Sequence, residues 1–363
     1  MSFTESEIFK HLQALVSFDT QNPPKDISAD SDIFHYFKKN LEGFNFKFID
    51  AGEGSLSLLA IRGEPSLLFN FHIDTVPVTD GWESDPFDLI QQDNKLVGLG
   101  ACDIKGAAAC MLSAVTKAEG DVALLFSSDE EHGASEAVKK FLTTDHGFKQ
   151  VIISEPTKAK AVTAHRGIQT ALISFSGISG HASETRGLKD NAIHKAGQWI
   201  SKATQWASEQ SASVQNLTGV PFNIGTIDGG IKPNMIAPKC EMKFGFRPLP
   251  GQDSKVVLQA LAELSDHGDD IRMTAGFFGP SLPATNQSFE QAIDAAKQLA
   301  NDLNIEIGDA VSFWTEASLF SQAGMTAFVF GPGDIAQAHT ANEWVEISQL
   351  EKVEQSYIKI LNN

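Results

Sequence analysis

The sequence is poor in cysteine and in basic residues, and it has no long apolar run. Three cysteines in 363 residues cannot build a disulfide framework, and an odd number fits a reducing compartment. No apolar run approaches the ~20 residues that cross a membrane. The opening MSFTESEIFKHLQ lacks the basic segment and apolar block of a secretory signal. Lys and Arg number 28 against 46 Asp and Glu, a formal charge of −18. That charge disfavours a nucleic-acid backbone and an anionic membrane surface. The expectation is a cytoplasmic protein with no nucleic-acid or membrane partner.

What is present is ample apolar material, 42% of residues, enough for a sizeable core. At about 150 residues per domain, the length predicts two or three domains. No fixed-period repeat or low-complexity segment occurs. A helical stretch from Leu12 breaks at Asn22-Pro23-Pro24, and residues 31–42 predict a short amphipathic helix. Continuous apolar runs at 66–71, 95–99, 122–127, 151–154 and 326–330 read as strands buried on both faces. They alternate with helical stretches such as 104–119. This predicts an α/β fold with a central mixed, largely parallel sheet.

The middle of the chain reads differently. Strand 169–176 is followed by helix 191–211, strands 222–227 and 241–246, helix 254–264 and strand 271–278. That β-α-β-β-α-β order is the ferredoxin-like pattern. The expectation is a small α+β domain at 168–280 inserted into a larger domain made of 1–167 and 281–363. The turn-rich Gly279-Pro280-Ser281-Leu282-Pro283 marks the return. A small sheet has exposed edges that must be covered or paired, so two copies joined through this insertion are expected.

In the larger domain, acids and histidines follow the strand-like runs. His72-Ile73-Asp74 follows the first, Asp103 the second, Asp129-Glu130-Glu131 the third, Glu155 the fourth, and His339 comes soon after the fifth. Ligands of open α/β sheets bind beyond the carboxyl ends of the strands. Alone, His72 or His339 reads as an ordinary histidine, Asp103 as a helix cap and Glu130-Glu131 as solvated acids. Together at five strand ends they concentrate carboxylates that repel one another unless protonated or neutralised by cations. Imidazole and carboxylate without thiolate suit zinc or a similar ion. The loop Gly98-Leu99-Gly100-Ala101-Cys102-Asp103 half-matches a dinucleotide fingerprint. Asp103 in place of the third glycine would repel a pyrophosphate, which argues against a nicotinamide enzyme. Cys102 has no thiolate partner and reads as a small buried residue.

The stretches His72-Ile73-Asp74-Thr75-Val76-Pro77, Gly100-Ala101-Cys102-Asp103-Ile104-Lys105-Gly106, Asp129-Glu130-Glu131-His132-Gly133, Ser154-Glu155-Pro156-Thr157, Ser179-Gly180-His181-Ala182-Ser183 and Ala338-His339 run in one order over nearly the whole chain. In this the sequence resembles the zinc-dependent amidohydrolases that include acetylornithine deacetylase, succinyl-diaminopimelate desuccinylase, aminoacylase and related carboxypeptidases. The stretch Phe313-Trp314-Thr315-Glu316-Ala317 and the segment from Gly331 to His339 are similar to the acetylornithine-specific members. Those around Ala164-His165-Arg166-Gly167, Lys232-Pro233-Asn234 and Phe246-Arg247-Pro248 resemble the acetylcitrulline-specific ones.

The resemblance implies two zinc ions per subunit, with cobalt as a substitute. Asp103 would bridge them, His72 and Glu155 would complete one, and Glu131 and His339 the other. Asp74 would orient His72, as ligating imidazoles usually give their second N–H to a carboxylate or carbonyl. Glu130 would be the general base. His181 would stabilise the oxyanion, from a lid and dimerisation domain and in the partner subunit's site. Asn234 and Arg247 would hold a substrate carboxylate, with Thr315, Glu316 and Arg166 as candidates for reading the substrate's far end. The implied reaction removes the acetyl group of N-acetylornithine or N-acetylcitrulline in arginine biosynthesis. A desuccinylase, a dipeptidase and a non-catalytic metal-binding relative stand as alternatives.

Overall fold

The computed structural model describes residues 3–24, 27–132, 134–265, 270–284 and 288–362. The chain divides into two compact units. One comprises Met1–Thr163, Glu290–Gly308 and Thr315–Asn363; the other comprises Ala164–Phe289 and Asp309–Trp314. The second is wider than the expected 168–280. Arg166 N–H donates to Val311 O, and Asn216 exchanges two hydrogen bonds with Ala310, which draws a later segment into it.

The first unit is built on a six-stranded sheet. Its order is Asn45–Gly52, Ser55–Arg62, Val122–Ser127, Leu67–His72, Gln150–Ile153 and Thr326–Val329. The first two strands form an antiparallel hairpin that joins Val122–Ser127 antiparallel; the remaining pairs are parallel. The sheet is therefore mixed and largely parallel, as the apolar runs predicted. Val122–Ser127 is buried along its whole length, which suits a strand covered on both faces. The helix Lys105–Val115 is also wholly buried. Its run of alanines lets neighbouring backbones approach closely, and a Cβ on Gly106 would stand 2.4 Å from Ala101 O. Ser113 and Lys117 both bond Glu354 of the C-terminal helix Ile347–Leu361.

The expected strand at 95–99 differs. Lys95–Val97 is not in the central sheet; it pairs antiparallel with Trp344–Glu346 and Ile90–Gln92. Gly98 ends it, where a Cβ would lie 2.9 Å from Val16. The chain turns there against the N-terminal helix Glu7–Ser17.

The second unit has a four-stranded antiparallel sheet in the order Phe222–Gly229, Lys239–Phe246, Ile168–Ser176, Ile271–Gly279. With the helices Ala192–Ser208 and Ser254–Glu263 between strands, this is the ferredoxin-like arrangement. Alternate residues Ala171, Ile173 and Phe175 pack with Trp199, Met242, Phe244, Val257 and Leu261. Both helices therefore cover one face. The other face carries a cavity of about 740 Å³ whose lining includes Thr170, Leu172, Lys243 and Arg247.

Candidate metal centre

Three parallel strands deliver most of the cluster. His72 ends its strand and pairs in register with Ser127, whose chain continues into Asp129-Glu130-Glu131. Ile153 ends the next strand, two residues before Glu155. His339 follows the last, on a loop where its own φ is 59°. That left-handed conformation is uncommon for a residue other than glycine and recurs at functional sites. Asp103 comes from the turn just before the buried helix Lys105–Val115, not from a strand of this sheet.

Asp103 stands between two groups. Its Oδ1 lies 3.0 Å from His72 Nε2, and its Oδ2 lies 3.4 Å from His339 Nε2. His72 Nε2 is also 3.6 Å from Glu155 Oε1. His339 Nε2 is 3.0 Å from Glu131 Oε2. One aspartate thus shares its two oxygens between a His72–Glu155 pair and a Glu131–His339 pair. Donor atoms of His72, Asp103 and Glu131 all fall within 4.8 Å of one another. Two imidazoles among carboxylates, with no thiolate facing in, fit borderline divalent ions such as zinc. Cys102 is buried, its thiol points to Asp334 O at 3.4 Å, and burial holds it well above the ordinary thiol range.

Left to itself, the cluster balances its charge with protons. Burial opposes a charged His72, but hydrogen bonds to Asp103 and Asp74 prevail and hold it well above the usual imidazole value. Hydrogen bonds to Asp103 and Glu131 push His339 up to about 11. Burial works against an ionised Asp103, yet its bonds to His339 and His72 hold it low. Burial, then the Asp103 charge, raises Glu155; burial, then Glu155, raises Glu130; burial raises Glu131. Crowded carboxylates held up in this way are what bound dications would relieve.

A second set of side chains holds the loops. His72 Nδ1 is 3.0 Å from the main-chain O of Asp74 and 3.6 Å from its Oδ1. The nearer acceptor of the ring is thus the Asp74 backbone. The Asp74 carboxylate accepts from Glu130 N, Glu131 N and Asn22 Nδ2 at 3.2, 3.0 and 2.9 Å. It fixes the Glu130-Glu131 loop. Asp129 accepts from Glu136 N and Ala137 N and caps the helix Glu136–Leu142. Glu343 accepts from Gly100 N, Cys102 N and Asp103 N.

Asn22 and Glu343 escaped the sequence reading. Asn22 looked like a chain breaker, and Glu343 had only its closeness to His339 as a signal. Three candidates for substrate reading prove to be interior residues. Thr315 caps the helix Ala317–Gln322 through Ala317 N. Glu316 is fully buried and accepts from Asn70 and Ser127; burial pushes it up to about 7. Arg166 is buried and donates to the carbonyls of Gly219, Thr218 and Arg247.

The second unit carries the rest. The two-residue strands Gly180–His181 and Met235–Ile236 pair, and Ala182 N donates to Asn234 O. This ribbon sets His181 opposite Met235 and Asn234 opposite Ala182, with His181 and Asn234 both exposed. His181 Nδ1 is 2.7 Å from Ser183 Oγ. Arg247 follows the strand Lys239–Phe246 at its far end, half-buried, its N–H on Pro221 O. Asn234 precedes that strand and Arg247 follows it, so about 23 Å of strand separates the two, at ~3.3 Å per residue. One copy of this unit does not gather them.

The model of peptidase family M20/M25/M40 matches residues 68–363. An N-acetyl-L-citrulline deacetylase of Xanthomonas campestris pv. campestris is 46% identical over 355 residues, 97% of each chain. An acetylornithine deacetylase of Salmonella typhimurium is 33% identical over 324 residues, 84% of this chain and 82% of its own. Among solved structures, a dinuclear metal-binding peptidase of family M20 from Bacillus subtilis superposes with a TM-score of 0.68. It is 14% identical, with 98% of this chain and 96% of that one covered. On this match and these identities, the chain belongs to peptidase family M20/M25/M40.

Proposed function

We propose that the protein is a metal-dependent hydrolase that removes the acetyl group from an N-acetyl amino acid, with N-acetylcitrulline as its preferred substrate. The observation that carries this is the 46% identity to the N-acetyl-L-citrulline deacetylase over 97% of both chains. The 33% identity to an acetylornithine deacetylase makes N-acetylornithine the second substrate to test. We assign this reaction to arginine biosynthesis, in the cytoplasm.

The geometry supports the ligand assignment that the family resemblance implies. Asp103 would be shared between two zinc ions, with His72 and Glu155 holding one and Glu131 and His339 the other. The split of Asp103's oxygens between two imidazoles supports it. Bound there, divalent ions supply Lewis acidity and neutralise developing charge. Glu130 takes the proton of the attacking water and gives it to the leaving amine, as one positioned carboxylate can do in turn. Asp74 keeps Glu130 in place through its N–H. His181 donates to the oxyanion, whose charge develops in the transition state, and Arg247 pairs with the substrate carboxylate through its planar fork. Asn234, on the ribbon that carries His181, also holds the substrate carboxylate. The separation of that pair from Arg247 along one strand supports a homodimer through the inserted lid domain, in which a second copy supplies His181 and Asn234.

The test compares N-acetylcitrulline, N-acetylornithine and N-succinyl-diaminopimelate at equal concentration with zinc- or cobalt-loaded protein, reading the free amine. The highest kcat/KM is expected on N-acetylcitrulline. A succinyl preference, or no turnover of any of the three, refutes the proposal.

A further inference from the structure

Glu343 is buried, at 2% exposure, four residues after His339. Its carboxylate accepts three main-chain N–H groups of one turn: Gly100 at 3.0 Å, Cys102 at 2.8 Å and Asp103 at 3.0 Å. Its own main-chain oxygen accepts a fourth, from Gly98 at 3.0 Å. Successive N–H groups of a turn ahead of a helix form a concave anion site. In a dinucleotide fold a phosphate would fill it. Here the half-matched glycine loop has its anion built in, as the side chain of Glu343. A buried carboxyl group that holds three N–H groups of one turn has little freedom to shift.

The consequence lies in what this bond set joins. Asp103 is the residue whose two oxygens face His72 and His339. Its turn is fastened to Glu343, on the same short segment as His339. The distance from Asp103 to the Glu131–His339 pair is thus fixed through Glu343. We propose that Glu343 is a positioning residue for the two-ion centre: by locking the Asp103 turn to the His339 loop, it sets the position of the ion held by Glu131, His339 and Asp103. The ion held by His72 and Glu155 depends on it less. Those two side chains are buried, His72 at the end of its strand and Glu155 two residues beyond the end of the adjacent parallel strand, whereas His339 is half-exposed on a loop. This rests on the two-ion reading given above.

The experiment titrates metal-free protein with Co2+, following visible absorption and heat, for wild type, Glu343→Gln and Glu343→Asp. Glutamine keeps the shape, but its NH2 leaves at least one of the three N–H groups without an acceptor. The Gly98 bond and the pairing of Trp344–Glu346 with Lys95–Val97 are made by the main chain and survive. Wild type should show two binding events. In Glu343→Gln the weaker event should lose about 10–100-fold in affinity, the range for partners of metal ligands, with the tighter one within about threefold. Its visible band for the second Co2+ should shift. Glu343→Asp, one methylene short, should fall between the two. Unchanged affinities would overturn the proposal, as would an equal loss at both events or failure of both variants to fold, which would mark a general structural role. A single event in wild type would instead sink the two-ion reading itself.

Discussion

Loading the metal-free protein with divalent ions should expel protons at a pH where ordinary histidines have none to give. A ligating imidazole must be neutral. A free one, with a pKa near 6.5, is only about 1% protonated at pH 8.5. His339 is held at about 11 by Asp103 and Glu131, and His72 well above its usual value against the cost of its burial. His339 is therefore a cation at pH 8.5 before metal arrives. Binding two Co2+ at that pH should release at least about one proton per chain, against about 0.02 for unperturbed rings. The number is read by calorimetry in HEPES and in borate, whose ionisation enthalpies differ, from the dependence of the observed heat on the buffer. Overall affinity for the two ions should also climb by at least about one log unit per pH unit between pH 7 and 8.5, because each proton competes with a ligand bond. Fewer than about 0.3 protons per chain at pH 8.5, or a flat affinity, would refute the pairing of imidazolium and carboxylate on which this rests.

Two further outcomes follow from the same cluster. Glu130→Ala should keep the metal content of wild type but lower kcat by about 10²–10⁴-fold; full activity would remove Glu130 as the proton carrier. Glu316, pushed up to about 7 by burial, binds its proton more tightly folded than unfolded. Its contribution is complete below the unfolded value near 4.5 and is lost as pH rises through 7, at most about 3 kcal/mol. Metal-free Glu316→Gln should therefore melt above wild type at pH 8 and level with it near pH 4.5. A lower melting temperature at pH 8 would show that the ionised form is the stabilising one.

Much of the fold was legible because it is carried by hydrophobic period. The runs at 122–127 and 151–154 are continuous where a strand is covered on both faces. Ala171, Ile173 and Phe175 alternate where only one face of the inserted sheet is covered. The strand at 95–99 misled because a short apolar run says that a segment is buried, not which sheet it joins. At the site, His72, Asp103, Glu131, Glu155 and His339 could be suspected together because each stands just beyond an apolar run. Glu343 and Asn22 could not. Their contacts are with main-chain N–H groups or with a carboxylate more than fifty residues away. Arg166 shows the reverse error: a motif-borne arginine is buried under three carbonyls, and no sequence pattern separates that use from a substrate contact.

The buried acids divide by what they accept. Asp103, Glu131 and Glu155 face imidazoles, and these have lone pairs to offer an ion. Asp74, Asp129 and Glu343 face backbone N–H groups, and each closes a different loop: the Glu130-Glu131 turn, the start of the helix Glu136–Leu142, and the Gly100–Asp103 turn. The second kind are held by main-chain donors that do not move, although burial and the Asp103 charge still push Glu343 up to about 7. They still add to the local field. Concentrating so many carboxylates is costly unless fixed dipoles, protons or cations offset their charge. A site arranged like this needs no large rearrangement when an ion replaces the protons. Such preorganisation lets the later charge of a transition state be met without moving dipoles. It also places the residues that control metal affinity outside the ligand set, on the backbone-binding acids, where substitution by the matching amide removes charge and one acceptor while leaving volume unchanged.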